Sequence, residues 1–195
     1  MLNPIAGWCE RATIVASPNF DRRPSGSVVD LIVIHAISLP PGQFGGDYIE
    51  RLFQNELIVA EHPYFKSIDG LKVSSHFLIE RNGALKQFVA TGNRAWHCGE
   101  SSFEGKARCN DFSIGIELEG CDEKEFTDAQ YDSLIEVLVE LVRCYPNVTD
   151  GRIVGHCDIA PSRKTDPGPN FDWHRTRREL DVKRQKIDVT IKHTL

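Results

Sequence analysis

Apolar residues along the chain switch between near-continuous runs, strict alternation and helical spacing, and each switch marks an element. Residues 28–36 are β-branched and almost unbroken in apolar character, which predicts a buried strand. A loop rich in proline and glycine, Pro40 to Gly46, precedes Asp47–Leu57, where Ile49, Leu52 and Phe53 share one helical face. Residues 58–70 show no period and predict a long irregular connection, a kind of segment that commonly carries function. Val73–Glu80 and Ala84–Ala90 flank Asn82-Gly83, a strong hairpin signal. Phe112–Glu119 alternates, with Ile114, Ile116 and Leu118 on one side and Ser113, Gly115, Glu117 and Glu119 on the other.

The clearest helix covers Asp128–Cys144. Thr127 and Gln130 have capping-box spacing, Tyr131, Leu134, Ile135, Leu138, Leu141 and Val142 follow the helical repeat, and Pro146 ends it. Arg152–His156 reads as a short strand and Thr176–Lys186 as a last helix, while residues 187–195 carry no decisive signal. No repeat or linker divides the chain. The expectation is a single domain over residues 1–195, with its core at about 8–180, of mixed α/β (α+β) class with a central mixed sheet flanked by helices.

Composition narrows the function classes. A net charge of −5 supplies no basic field for nucleic acid or anionic lipid, so neither partner is expected. Arg175-Thr176-Arg177-Arg178 is short and flanked by acids, and reads as a solvated helix face. No run approaches the roughly 20 apolar residues of a membrane span, and the first ten residues lack the pattern of a secretory signal. The six cysteines include no Cys-x-x-Cys pair, so reduced thiols in a cytoplasmic, monomeric protein are expected.

The candidate chemistry is concentrated at two places. His35 ends the first apolar run, and His156 ends the run Arg152–Val154 and opens a turn-rich loop containing Lys164 and Asp166. Two imidazoles and a carboxylate make three ligands, which leaves a tetrahedral zinc with one open position. Lys164 and Asp166 are two residues apart and in an extended segment would point the same way, with Pro167-Gly168 fixing the turn behind them. A surface Lys-x-Asp loop without chemistry is the bland alternative. Glu117 is placed to act as general base, beside Gly115, whose missing side chain would leave room for a ligand. Glu119 is expected to be solvated or salt-bridged. Cys157, as the strand neighbour of His156, is expected to face the other way and pack as a small hydrophobe rather than act as a nucleophile. His76 and His97 read as hydrogen-bonding or pocket-lining residues, with replacement of a ligand as the alternative.

These residues lie within longer motifs: His35 with Ile37–Gly46, Glu61-His62-Pro63-Tyr64-Phe65, Arg94-Ala95-Trp96-His97, Arg108-Cys109-Asn110-Asp111 running on to Gly120, and Gly155-His156-Cys157-Asp158 running on to Gly168. Together, over residues 8–180, they resemble the zinc-dependent N-acetylmuramoyl-L-alanine amidases, and among them the cytosolic enzymes of Gram-negative bacteria that act on 1,6-anhydro-N-acetylmuramyl-L-alanine. The resemblance implies a peptidoglycan-recognition-protein-like fold and a zinc held by His35, His156 and Asp166. It implies a catalytic pair, Glu117 and Lys164, a required tyrosine at Tyr64, and substrate contact at Arg108, Lys72, His97 and Ala36. The implied substrate is a small soluble muropeptide, cut between the muramyl lactyl group and L-alanine.

The chain departs from the pattern at Ala36, where the family commonly carries asparagine, and at Lys72, where arginine is frequent. A hydrogen bond lost at Ala36 would weaken peptide binding by about 1–3 kcal/mol. An exported amidase of polymeric peptidoglycan and a non-catalytic binding module share the fold. The missing signal opposes the first and the intact ligand set the second.

Overall fold

The computed structural model describes residues 1–2 and 7–192, with the side chains of 187–192 excepted. Its ten strands are β1 (Thr13–Ile14), β2 (Phe20–Arg22), β3 (Leu31–Ile37), β4 (Phe77–Ile79), β5 (Leu85–Gln87), β6 (Asn93–Ala95), β7 (Ser102–Phe103), β8 (Lys106–Ala107), β9 (Ser113–Glu119) and β10 (Ile153–Gly155). Its helices are α1 (Tyr48–Phe53), α2 (Asp128–Cys144), α3 (His156–Ile159) and α4 (Trp173–Lys192). Six strands form one mixed sheet in the order β1-β5-β4-β9-β3-β10, in which β4, β9, β3 and β10 run parallel and β5 is antiparallel to β4. The expected fold class is therefore the observed one.

Alternation along the central strands separates two environments. Ile32 and Ile34 of β3, Ile114, Ile116 and Leu118 of β9, and Phe77 and Ile79 of β4 belong to one core with Leu134, Leu138 and Leu141 of α2. The opposite face carries His35 and Glu117, which are direct register partners across β3 and β9. Because both strands are parallel and central, these two side chains emerge together at the carboxyl end of the sheet, where ligand sites of parallel sheets form.

The capping box at Thr127 is present, with Gln130 N donating to Thr127 Oγ1 at 3.1 Å and Thr127 N to Gln130 Oε1 at 3.1 Å. Gln130 is fully buried, and its Nε2 also donates to Glu119 O at 2.9 Å and Ile79 O at 3.3 Å. One amide thus joins the start of α2 to the ends of β4 and β9.

Several boundaries differ from expectation. The helix expected over Asp47–Leu57 stops at Phe53, because Asn55 adopts a left-handed conformation (φ 63°) that ends the helix and is tolerated by asparagine. Residues 58–70 are not irregular throughout: two 3₁₀ turns occupy Val59–Glu61 and Pro63–Ile68. The last helix begins three residues early, since Asp172 Oδ1 accepts from Arg175 N at 2.8 Å, and its backbone continues to Lys192 through much of the segment expected to carry no element. Residues 193–195 of that expected tail lie outside the described residues. All six cysteines are free thiols.

Gln130→Leu would remove the Gln130 partner of two carbonyls and one amide in a buried position. We expect it to reduce unfolding free energy by about 2–4 kcal/mol, read from the shift of the urea midpoint at constant slope.

Candidate active site

His35 sits two residues before the end of β3, and its ring is buried. His156 is not at a strand end as expected. β10 stops at Gly155, and His156 opens the single turn of α3 because Asp158 Oδ2 accepts from Gly155 N at 2.7 Å and caps it. The loop after α3 is a succession of turns rather than an extended segment. Asp166 is drawn back to α3 by a hydrogen bond from Cys157 N to Asp166 O at 2.9 Å, and Gly168 N donates to Thr165 O at 3.0 Å. Tertiary contact, not the i, i+2 spacing, brings Asp166 to the histidines.

Three atoms converge there. His35 Nδ1 lies 2.9 Å from His156 Nδ1 and 3.2 Å from Asp166 Oδ2, and His156 Nδ1 lies 3.0 Å from Asp166 Oδ2. His156 Nε2 faces the Cys98 carbonyl at 3.0 Å and must donate to it, so in the neutral ring Nδ1 carries a lone pair. The carboxylate likewise has no hydrogen to give. With both rings neutral, at most one proton, on His35, serves the three mutual contacts, and the His156–Asp166 contact has none. A cation among the three satisfies all of them. Tetrahedral zinc bonds of about 2.0–2.1 Å hold ligands roughly 3.3 Å apart, close to the separations seen here. The residues present fit such a metal.

His35, His97 and Cys98 form a second trio close enough to clasp an ion. Burial pushes the Cys98 thiol well above its ordinary value, which disfavours the thiolate a metal would need, and Cys98 does not line the cleft. His97 instead lies 2.9 Å from His35 Nε2 through its Nδ1 and 3.3 Å from Ser113 Oγ through its Nε2. A metal-ligating imidazole commonly makes such an outer hydrogen bond. Gly115 does not leave room for a ligand. A Cβ there would stand 2.8 Å from His97 Cε1, so the missing side chain makes space for His97.

The three converging groups line a cleft of about 540 Å³ together with Ala36, Tyr64, His97, Glu117 and Lys164. Glu117 Oε2 is buried and has no hydrogen-bond partner among the described residues. Burial pushes its carboxyl well above the usual range, with the Asp166 charge adding and the Lys164 charge opposing. Burial also holds His35 down at about 4, despite the neighbouring carboxylate. Tyr64 is half-exposed at the wall of the cleft, on the 3₁₀ turn Pro63–Ile68. Lys72 borders an adjoining cavity of about 260 Å³ that shares Leu52, Ile68 and Leu71 with the cleft. Arg108 is outside both, exposed and 3.3 Å from Asp111.

Two side chains differ from expectation in role. Glu119 is neither solvated nor salt-bridged: it is buried, and its oxygens accept from Gly45 N and from Arg81 N (3.0 Å), which ties the 37–47 loop to the sheet. Cys157 lies on α3 rather than a strand. It remains outside the cleft lining, and burial raises its thiol, against a nucleophilic role. Arg163 had no part in the expected site, yet it lines the cleft and donates to Cys98 O and, at 2.7 Å, to Glu100 O. Its place beside Lys164 was the only sequence signal available.

A larger cavity of about 760 Å³ lies between α2 and α4, far from these groups. The amidase-family model described as N-acetylmuramoyl-L-alanine amidase matches residues 25–169, which include every converging group. The chain belongs to the N-acetylmuramoyl-L-alanine amidase family. Within this amidase family it is 55% identical to the 1,6-anhydro-N-acetylmuramyl-L-alanine amidase AmpD of Haemophilus influenzae, over 83% of this chain and 88% of that protein. A crystal structure of a selenomethionine AmpD derivative superposes with a TM-score of 0.89 at 50% identity, covering 92% of this chain and 99% of the other. The Escherichia coli amidase AmiD, solved with anhydro-N-acetylmuramic acid-L-Ala-D-γ-Glu-L-Lys, gives a TM-score of 0.58 at 28% identity, covering 81% and 60% of the two chains. The chain is thus an amidase of this fold. No helix among its described residues is long and apolar enough to cross a membrane.

One buried histidine of the amidase sets an acid limit. His76 Nδ1 accepts from Gly115 N at 3.0 Å, its Nε2 faces Asn93 O at 3.1 Å, and burial beside Arg23 lowers it to about 3 from an unfolded 6.5. Between those values the unfolded chain binds the proton and the native one does not. Stability from this group is complete above about pH 6.5 and is lost as pH falls toward 3, by about 1.4 kcal/mol per pH unit. Urea titrations of chelator-treated His76→Gln, whose amide can make both hydrogen bonds, should give an acid limb shallower by one proton.

Proposed function

We propose that this protein is a zinc-dependent amidase that hydrolyses the bond between the lactyl group of 1,6-anhydro-N-acetylmuramic acid and L-alanine. Its substrates are small soluble muropeptides from peptidoglycan turnover, and it works in the cytoplasm as a monomer. The observation that carries this reading is the convergence of His35 Nδ1, His156 Nδ1 and Asp166 Oδ2 on one point with too few hydrogens, beside the unpartnered Glu117 Oε2. Likeness to AmpD, and to AmiD bound to an anhydromuramyl peptide, supports the substrate class.

His35, His156 and Asp166 would hold the metal. Zinc suits that donor set and, when bound, supplies Lewis acidity that polarises a carbonyl and makes water a nucleophile near neutral pH. Glu117 Oε2 takes the proton from the water that attacks the lactyl carbonyl. It returns that proton to the alanine nitrogen as the C–N bond breaks, leaving a lactyl carboxylate and a free peptide amine. The Lys164 ammonium stabilises the oxyanion that develops on the carbonyl oxygen. Tyr64, Ala36 and His97 border the bound junction, a longer peptide or sugar would reach Lys72 in the adjoining cavity, and Arg108, which lines neither, would meet only a part of the substrate that extends past both. At Ala36 a methyl group replaces any amide contact, so affinity for the peptide falls mainly on these outer residues.

The direct test is zinc content of the purified protein, followed by cleavage of an anhydromuramyl tripeptide with and without chelator. Release of the tripeptide that chelator abolishes and zinc restores is expected, with faster turnover than on intact sacculi. Cleavage indifferent to chelator would refute the reading. Asp166→Ala should lose bound zinc, measured by elemental analysis after gel filtration. Lys164→Ala should keep its zinc while kcat falls by a hundredfold or more, an effect of the size seen when an oxyanion donor is removed.

A further inference from the structure

Both imidazoles of the converging trio have their outer nitrogens tied to one dipeptide. His35 Nε2 meets the ring of His97 at 2.9 Å, and His156 Nε2 donates to the carbonyl of Cys98 at 3.0 Å. Residues 97–98 thus set the orientation of two side chains that arrive from different parts of the fold, one on a central strand and one at the start of α3.

That dipeptide belongs to none of the named strands or helices; one side-chain oxygen accepts from both of its amides, and Arg163 Nη2 donates to its Cys98 carbonyl. Asn110 Oδ1 accepts from His97 N at 3.2 Å and from Cys98 N at 2.8 Å. Two amides on one oxygen use both of its lone pairs and fix the plane of the peptide between them. Asn110 is itself restrained. It sits on the 3₁₀ turn Cys109–Asp111, and its carbonyl accepts from Arg23 Nη1 at 2.9 Å. The same guanidinium reaches Ser113 O at 2.8 Å and Thr91 O at 3.1 Å, so the strap ends on β9. Asn110 does not line the cleft.

We propose that Asn110 is a positioning residue of the metal centre: by holding the 97–98 peptide it aims the Nδ1 atoms of both His35 and His156. The inference rests on the zinc reading above. Removing an outer partner of a ligating histidine typically weakens metal binding 10–100-fold. Asn110 governs two such partners through one oxygen, without touching metal or substrate.

The test compares wild type, Asn110→Ala and Asn110→Asp, the last of which keeps an acceptor oxygen at the same reach. Zinc release to a chromophoric chelator is followed by stopped flow, and the His156 Nε2–H resonance is followed by NMR in metal-free protein. The expected result is zinc release at least tenfold faster in Asn110→Ala, with the Nε2–H signal broadened by exchange, and both restored to within threefold of wild type in Asn110→Asp. If Asn110→Ala fails to fold, Asn110→Ser, whose hydroxyl falls short of the two amides, takes its place. Wild-type behaviour of the alanine or serine variant would overturn the proposal, as would equal loss in the aspartate variant. A wild-type protein that binds no zinc would instead count against the metal reading, while the ring resonance in metal-free protein would still report on the strap.

Discussion

Three electron-pair donors held within 3.2 Å of one another, with at most one hydrogen among them when both rings are neutral, are the constraint around which the rest of this molecule is arranged. Left to themselves, two imidazole edges and a carboxylate would turn apart or take up water. Here each is prevented from doing so. His35 is locked by the parallel β3–β9 ladder and by His97, His156 by the Cys98 carbonyl, and Asp166 by the amide of Cys157. Burial of the His35 ring opposes its protonation, which would otherwise relieve the arrangement on that side. An arrangement so costly without a cation is well suited to binding one.

The sheet makes this possible by segregating its faces. Period-two alternation sends Ile32, Ile34, Ile114 and Ile116 into the core beneath α2 and leaves His35 and Glu117 side by side on the other face. The hydrophobic stabilisation of one face can thus support uncompensated polar groups on the other, including the unpartnered oxygen of Glu117. Glu119, two residues further along the same face, is saturated by amides of Gly45 and Arg81 and serves the loop rather than the chemistry. Two glutamates on one face of one strand differ in role because one has backbone donors within reach and the other opens on a cleft.

Much of this was legible in the chain itself. The alternation of residues 113–119, the capping box at Thr127 and the Asn82-Gly83 turn are local signals, each decided by neighbours within a few positions, and each appears in the structure. The motifs around His35, Glu117, His156 and Lys164 pointed to the same cleft. The structure departs from expectation where one local signal outcompetes another or where a distant group arrives. The apolar positions before His156 predict a strand residue, but the Asp158 side chain caps a helical turn there. Gly115 suggested space for a ligand because its missing side chain says nothing of which ring will arrive to fill it.

Identity of the long elements β3, β9 and α2, the division of polar and apolar faces, and the residue types able to ligate a metal were determined by the sequence alone, because they depend on dihedral preference, side-chain period and chemical character. Tertiary structure alone decided that Asp166 folds back onto α3, that His97 occupies the hollow of Gly115, and that Asn110 restrains the peptide behind both imidazoles. These relations join residues from 10 to 62 positions apart along the chain. No local preference encodes a distance across such a span; only the packed sheet and its loops set it.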